Sequence, residues 1–85
     1  MLHFIARIDI MPHEALLDPQ GKAVLTGLAA LQLPHIQDVR VGKHLLLRLT
    51  APNQADAEAM VTKACKELLA NPVMESYSFE LQQSE

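Results

Sequence analysis

The first stretch of the chain alternates between apolar and polar positions, which is the period of a strand with one buried face. The apolar positions are the even ones from Leu2 to Ile10, and Ile5 is the exception on the polar side. The pattern predicts a strand that runs to about Met11. The chain is therefore expected to open with a half-buried strand.

A helix is expected to follow the loop after this strand. Asp18 is a favourable N-cap, and Pro19 suits the first helical position. Pro34 marks the end of the helix. Gly21 and Gly27 each cost up to about 1 kcal/mol relative to alanine within a helix, which suggests that something approaches the backbone closely, although packing against the sheet also explains them. The apolar stripe that should face the sheet comprises Val24, Leu25, Leu28, Ala29 and Leu31.

The segment from residue 37 to residue 50 alternates again, with apolar residues at most odd positions. Two structures fit this parity: a hairpin with a three-residue loop at Gly42-Lys43-His44, and one long bent strand. The hairpin is favoured because it completes the β-α-β-β-α-β order of a ferredoxin-like domain. The predicted fold is α+β, a two-layer sandwich with two helices on one face of an antiparallel sheet. The alternative has three strands with one long bent middle strand.

The second helix has the clearest limits. Asn53 is its N-cap, Asp56 lies in the first turn where the helix dipole favours negative charge, and Asn71-Pro72 stops it. Its predicted inner stripe comprises Ala57, Met60, Val61, Ala64, Cys65 and Leu68. Alternation from Val73 to Gln82 predicts the last strand, followed by a frayed polar tail.

Composition narrows the classes of function. The 85 residues are 49% apolar and 20% charged, which predicts a single globular domain spanning residues 1–85. The net charge of -3 and the scattered basic residues argue against a nucleic-acid partner. No run of about 18 apolar residues occurs, so no membrane partner is expected. The single cysteine fits a reducing compartment, and we expect the protein to be cytoplasmic.

The sequence lacks recognisable catalytic equipment. The four histidines are never spaced to share a metal, and Cys65 lies on an apolar stripe where its thiolate is disfavoured. Asp18 at a helix start is better explained by capping than by an anion site, since its carboxylate occupies the donors. Arg40 and Lys43, which flank Gly42, are better candidates for partner contact than for binding a small anion. No catalytic residue, bound cofactor or metal is therefore predicted.

In a two-layer domain the helices cover one face of the sheet, and the other face is exposed unless another chain covers it. Ile5 and Leu46 lie on the nominally polar side of the strands, which favours cover by another chain. Self-association is therefore a hypothesis at this point.

Three ordered blocks of sequence resemble one family. They are Leu17-Asp18-Pro19-Gln20-Gly21-Lys22-Ala23-Val24, Val39-Arg40-Val41-Gly42-Lys43 and Leu68-Leu69-Ala70-Asn71-Pro72-Val73-Met74-Glu75-Ser76-Tyr77. The family is PurS, the small accessory subunit of formylglycinamidine ribonucleotide synthase. The resemblance covers nearly the whole chain, and the order and separation of the blocks make it more specific than any single block.

The resemblance implies a role in purine biosynthesis without catalytic residues in this chain. It implies a homodimer or higher oligomer that bridges a glutaminase subunit, PurQ, and an ATP-dependent synthetase subunit, PurL, so that ammonia passes between them. ATP and Mg would then be bound by the large partner subunit, and no cofactor by this chain. The matched positions are the candidate fold-defining or partner-contact residues: Asp18, Pro19, Gln20, Gly21, Arg40, Gly42 and Lys43.

Two other classes of protein share this arrangement of elements. One is an ACT-like sensor that binds a small molecule at a dimer seam. The other is a small dimeric enzyme of the ferredoxin-like barrel type, in which His44 or His35 would act as acid or base.

Overall fold

The computed structural model describes residues 1–84. Three strands form one antiparallel sheet in the order β2-β1-β3. The α+β class and the antiparallel sheet are therefore confirmed. In chain order the elements are β1 (Leu2–Pro12), α1 (Pro19–Ala30), β2 (Lys43–Ala51), α2 (Gln54–Ala64), a π-helical continuation of α2 (Cys65–Leu69) and β3 (Glu75–Ser84).

The central strand β1 supplies much of the core. Its even-numbered residues alternate with exposed ones, and those from Phe4 to Ile10 are almost completely buried. Ile8 lies opposite Leu45 of β2 and Phe79 of β3, and paired residues in an antiparallel sheet point to the same face. On this face α2 contributes Val61 to the main core cluster. The sheet and α2 together are called the body below.

The predicted hairpin at Gly42-Lys43-His44 is wrong for the described residues, in which β2 begins at Lys43 and residues 38–42 belong to no strand. The strand count of the three-strand alternative is correct, but β2 is shorter than the bent strand it envisaged. The reason lies in the hydrogen bonding of residues 38–42. The backbone N–H of Val41 donates to the carboxylate of Asp18 at the start of α1, so it does not serve a ladder of strands.

The inner stripe of α2 is confirmed for its first half. Ala57, Val61 and Cys65 are buried. Leu68 is 81% exposed, and Leu69 packs on the core in its place. The helix widens here to a π turn, in which the N–H of Ala70 donates to the carbonyl of Cys65 at 3.0 Å. One extra residue in that turn rotates the following side chains by about 100°, which exchanges the inward position. Met60, also predicted inside, is 49% exposed.

The last strand is shifted towards the C-terminus relative to its predicted alternation: it begins at Glu75 instead of Val73 and ends at Ser84. Gln83 and Ser84, predicted as part of a frayed polar tail, continue β3 and pair with Phe4 and His3 of β1. Backbone pairing requires no apolar side chain, so a polar sequence can extend a strand. The remainder of that predicted tail, Glu85, lies outside the described residues.

The first helix differs sharply from the second. Its predicted start, with Asp18 as N-cap and Pro19 in the first helical position, is confirmed. Only Gly21 of its twelve residues is buried. Val24 and Leu31, from the stripe expected to pack on the sheet, are 45% and 71% exposed. The molecule measures 52 × 28 × 14 Å, with a radius of gyration of 16.6 Å against about 12 Å for a compact chain of this length. We call α1 and the segment that returns from it, residues 19–41, the arm.

Candidate functional site

The three sequence blocks meet at one end of the sheet, where the arm leaves the body. The segments involved are residues 13–21, residues 38–43 and residues 71–75, and we call this region the joint. It contains the candidate residues named from the sequence. Its polar contacts connect the chain that enters the arm with the chain that returns from it.

Asp18 is the residue that closes the arm. Its Oδ1 accepts the backbone N–H of Gly21 at 3.0 Å, which caps α1. Its Oδ2 accepts the backbone N–H of Val41 at 2.8 Å, which holds the returning chain. The Gly21 N–H and then the Val41 N–H do most to lower the pKa of Asp18; desolvation opposes them, and the charge of Arg40 adds a smaller lowering. The carboxylate is therefore held in its ionised form.

Position 21, in the first of the three sequence blocks, requires glycine because the returning chain passes very close to it. A Cβ added at Gly21 would lie 2.0 Å from the carbonyl oxygen of Val39, which is a backbone atom of the returning chain. Only glycine allows that approach. Pro19 occupies the first helical position as predicted, where its missing N–H has no intrahelical acceptor. Gln20 is exposed beside it.

Arg40 binds the chain that enters the arm. Its Nη1 donates to the carbonyl of Leu16, its Nη2 donates to the carbonyl of Glu14 at 2.9 Å, and its Nε donates to Asp38 at 3.2 Å. The guanidinium is thus engaged within the chain on both of its edges. This geometry supports the fold-defining interpretation of Arg40 rather than a free site for an anion.

Gly42 and Lys43 join the arm to the body. A Cβ at Gly42 would meet the carbonyl oxygen of Ile10 at 2.2 Å and the sulfur of Met11 at 2.3 Å, so β2 starts in close contact with β1. The Nζ of Lys43 lies 3.8 Å from Glu75 at the start of β3. This ion pair is partly exposed and contributes little to the free energy of unfolding.

The third block completes the joint, and sequence reasoning did not assign its residues to the candidate site. The side-chain oxygen of Asn71 accepts the backbone N–H groups of Val73 and Met74 at 2.9 and 3.2 Å. Glu75 in turn accepts the N–H of Asn71 at 2.9 Å, and the N–H of His13 donates to the carbonyl of Met74 at 3.0 Å. The Asn-Pro pair signalled the turn but not its contact with the loop after β1.

The surface of the joint is a shallow groove rather than an enclosed pocket. Its volume is about 420 Å³, and it opens between the loop before α1 and the turn before β3. Leu16, Leu17, Asp18, Val41, Asn71 and Met74 contribute to its lining. Such a groove suits contact with a protein surface better than enclosure of a small substrate.

The remaining chemically versatile side chains lie elsewhere. His44 contacts Asp9 at 2.7 Å on the open face of the sheet, and His35 lies in the exposed segment after α1. Cys65 is buried, and burial raises the pKa of its thiol. Within residues 1–84, no group of three or more metal-binding side chains comes together. In the same part of the chain, the helices are too short or too polar to span a bilayer.

The arm carries part of the exposed apolar surface. Val24, Leu31, Leu33 and Ile36 are exposed on the arm, Leu17 is exposed just before it, and others, such as Leu68, lie outside it. The accessible surface of the chain is 6276 Å². A compact monomer of 9.4 kDa has about 5,000 Å², so roughly 1,300 Å² is in excess. On the open face of the body Leu46 is exposed, whereas Ile5 is half-buried.

Fold and joint together define a small α+β domain with a projecting helix that offers surfaces to other chains. The family model described as PurS, phosphoribosylformylglycinamidine (FGAM) synthase, matches residues 5–83. The chain belongs to the PurS family, which confirms the resemblance seen in the sequence.

Individual relatives agree with this assignment. The PurS subunit of phosphoribosylformylglycinamidine synthase from Synechocystis sp. is 41% identical over 88% of this chain and 75% of its own length. Thermus thermophilus PurS is 42% identical, with a TM-score of 0.82 over 98% of this chain and 99% of that one. A chain in the structure of PurLQS from Thermotoga maritima is 33% identical, with a TM-score of 0.84 over 99% and 100% of the two chains. These relatives give no support to the ACT-like alternative.

Proposed function

We propose that this chain is the PurS subunit of a phosphoribosylformylglycinamidine synthase and that it assembles with PurL and PurQ. The observation that carries the proposal is the likeness to a chain of PurLQS over the full length of both chains, with a TM-score of 0.84. The chain contributes surfaces and no catalytic group. ATP and Mg belong to the large partner subunit, and the complex works in the cytoplasm.

Self-association is part of the proposal. The excess surface of about 1,300 Å² exceeds what a standard interface removes from each partner, about 800 Å², so it is large enough to hold one such interface. The exposed apolar side chains of the arm, such as Leu31, are the ones that a second copy of the chain would cover. A homodimer or higher oligomer accounts for an arm that finds little cover in its own body.

A bridging role has a physical rationale. Ammonia released by the glutaminase PurQ must reach PurL before it is protonated or diffuses away. Holding two sites together raises the effective concentration of the transferred molecule without any new chemistry. A connector with a defined shape is sufficient for this task.

Reconstitution with PurL and PurQ tests the proposal. Turnover is measured with glutamine and, separately, with ammonium salt as nitrogen source, each with and without this chain. We expect omission to abolish most of the glutamine-driven turnover and to spare the ammonia-driven turnover. Equal loss of both activities, or no loss of either, would reject the bridging role.

A further inference from the structure

We infer that Arg40 is a positioning residue: together with Asp18 it fixes the direction in which the arm leaves the body, and thereby the presentation of the arm's apolar side. The contacts of the joint carry the structural part of this inference. Its consequence for assembly rests on the proposed function.

The arm has few other attachments to the body. Gly21, at its base, is the one buried residue of α1, and the segment from Leu31 to Asp38 is exposed throughout. The returning chain becomes half-buried from Val39 to Val41 and then meets β1 at Gly42. The direction of the arm therefore depends on contacts at its base and little on packing along its length.

The base is closed by contacts in both directions. Asp18, on the outgoing chain, accepts from Val41 on the returning chain at 2.8 Å. Arg40, on the returning chain, donates to the carbonyls of Glu14 and Leu16 ahead of the helix. Two opposed sets of bonds define an orientation better than one, because a single hydrogen bond leaves the segments free to rotate about it.

A small rotation at the base of the arm produces a large displacement at the far end of α1. Twelve residues of α-helix extend about 18 Å, so a rotation of about 10° at the joint moves the far end of α1 by about 3 Å. Interface cores pack at the density of protein interiors, and they do not tolerate displacements of that size. The angle at the joint thus controls whether the arm fits its partner.

The chemistry at position 40 specifically requires arginine. The two carbonyl acceptors belong to residues 14 and 16, and Asp38 binds the third donor, Nε. A planar guanidinium reaches these separate acceptors with fixed donors. A lysine ammonium keeps the charge but concentrates its donors on one nitrogen, so Arg40→Lys should preserve charge and lose orientation.

The direct test measures the direction of the arm. Spin labels are placed at Thr26→Cys on α1 and Ser78→Cys on β3 in a Cys65→Ala background, and labelled chain is diluted with unlabelled chain. Arg40→Lys and Arg40→Ala are compared with Arg48→Ala, which removes an exposed arginine of β2 outside the joint. Thr26 lies about 10 Å along α1 from its start, so we expect both Arg40 variants to broaden or shift the distance distribution by about 2 Å or more. Circular dichroism should be unchanged for Arg40→Lys, and the control should keep the original distribution.

Assembly provides the second readout. In the complex with PurL and PurQ, we expect Arg40→Lys to raise the chain concentration required for half-maximal glutamine-driven turnover by roughly 2- to 30-fold. Ammonia-driven turnover should not change. A narrow, unshifted distribution in both Arg40 variants would overturn the inference. If the unmodified chain proves dispensable for glutamine-driven turnover, the proposed function fails, and the distance measurement still decides the role of Arg40.

Discussion

The body and the arm are held in place by different kinds of interaction. In the body, side chains such as Ile8 and Val61 are removed from water, and their position follows from the need to bury apolar surface. The arm buries almost nothing, and its base is held by a carboxylate, a guanidinium and two glycines that permit close backbone approach. The same chain therefore contains a region specified by periodicity and a region specified by individual residues.

Because of this difference, the body determines the free energy of unfolding, whereas the joint determines the direction of the arm. Loss of a core side chain in the body should lower the free energy of unfolding strongly, because the core is small. Loss of a contact in the joint should leave the body folded and alter where the arm points. Variants in the two regions can therefore be distinguished by whether the free energy of unfolding or the geometry of the arm changes more.

The largest effect is expected in the body. Ile8→Ala removes a fully buried side chain from the central strand, and we expect a loss of about 2–5 kcal/mol in the free energy of unfolding, measured by urea denaturation. Leu31→Ala on the exposed end of the arm is the matched control and should change it by less than about 0.5 kcal/mol in dilute monomer. Similar losses for both variants would show that the arm is buried as the body is.

The next effect is expected at the base of the arm. Gly21→Ala places a Cβ 2.0 Å from the Val39 carbonyl oxygen, and the returning chain must move to accommodate it. We expect a loss of about 1–3 kcal/mol in the same assay, as for an overpacked site, together with a displaced arm in the spin-label measurement. An unchanged arm and unchanged stability would refute the close approach of Val39.

The success of sequence reasoning follows the same division. Alternation in β1 and the caps Asp18 and Asn53 were predictable because they depend on local spacing and local hydrogen bonds. The alternation of Val39 and Val41 led to a wrong prediction of β structure before Gly42. These residues are half-buried at the base of the arm and belong to no strand.

Two further features had no signal in the sequence. The acceptors of Arg40 are backbone carbonyls, which every residue carries, so no residue type marks them. The π turn adds a residue to a helix whose apolar spacing is ordinary, and it exchanges Leu68 for Leu69 at the inward position. The candidate residues could therefore be named from the family blocks, while their mutual contacts required the structure.

A third prediction concerns the charge of Asp18. Asp18→Asn retains a good N-cap, but its side-chain amide cannot accept from both the Gly21 and the Val41 N–H groups through two oxygens. The pKa of Asp18 is lowered in the fold, so the stability it contributes is present above about pH 3.9, the value for an unfolded chain, and is lost as the pH falls through the folded pKa.

The measurement is the urea midpoint of both proteins from pH 7 down to pH 3. We expect Asp18→Asn to unfold at lower urea at pH 7 and the gap between the two proteins to close below about pH 3.9. Glu80→Gln, which neutralises an exposed carboxylate of β3 outside the joint, serves as the control. A gap that stays constant across this range would rule out the ionised carboxylate as the group that closes the arm.

The smallest effect has the opposite sign and comes from the other glycine of α1. A Cβ at Gly27 meets nothing within 4 Å in its own chain, in contrast to Gly21. Because glycine inside an exposed helix costs up to about 1 kcal/mol relative to alanine, Gly27→Ala should raise the free energy of unfolding of dilute monomer by about 0.5–1 kcal/mol.

Gly27 also lies between Val24 and Leu31 on the exposed apolar stripe, so a second chain packed there would meet the added methyl group. We therefore expect the variant to stabilise the monomer and weaken self-association measured by ultracentrifugation. Stabilisation with unchanged association would place the partner on another side of the arm.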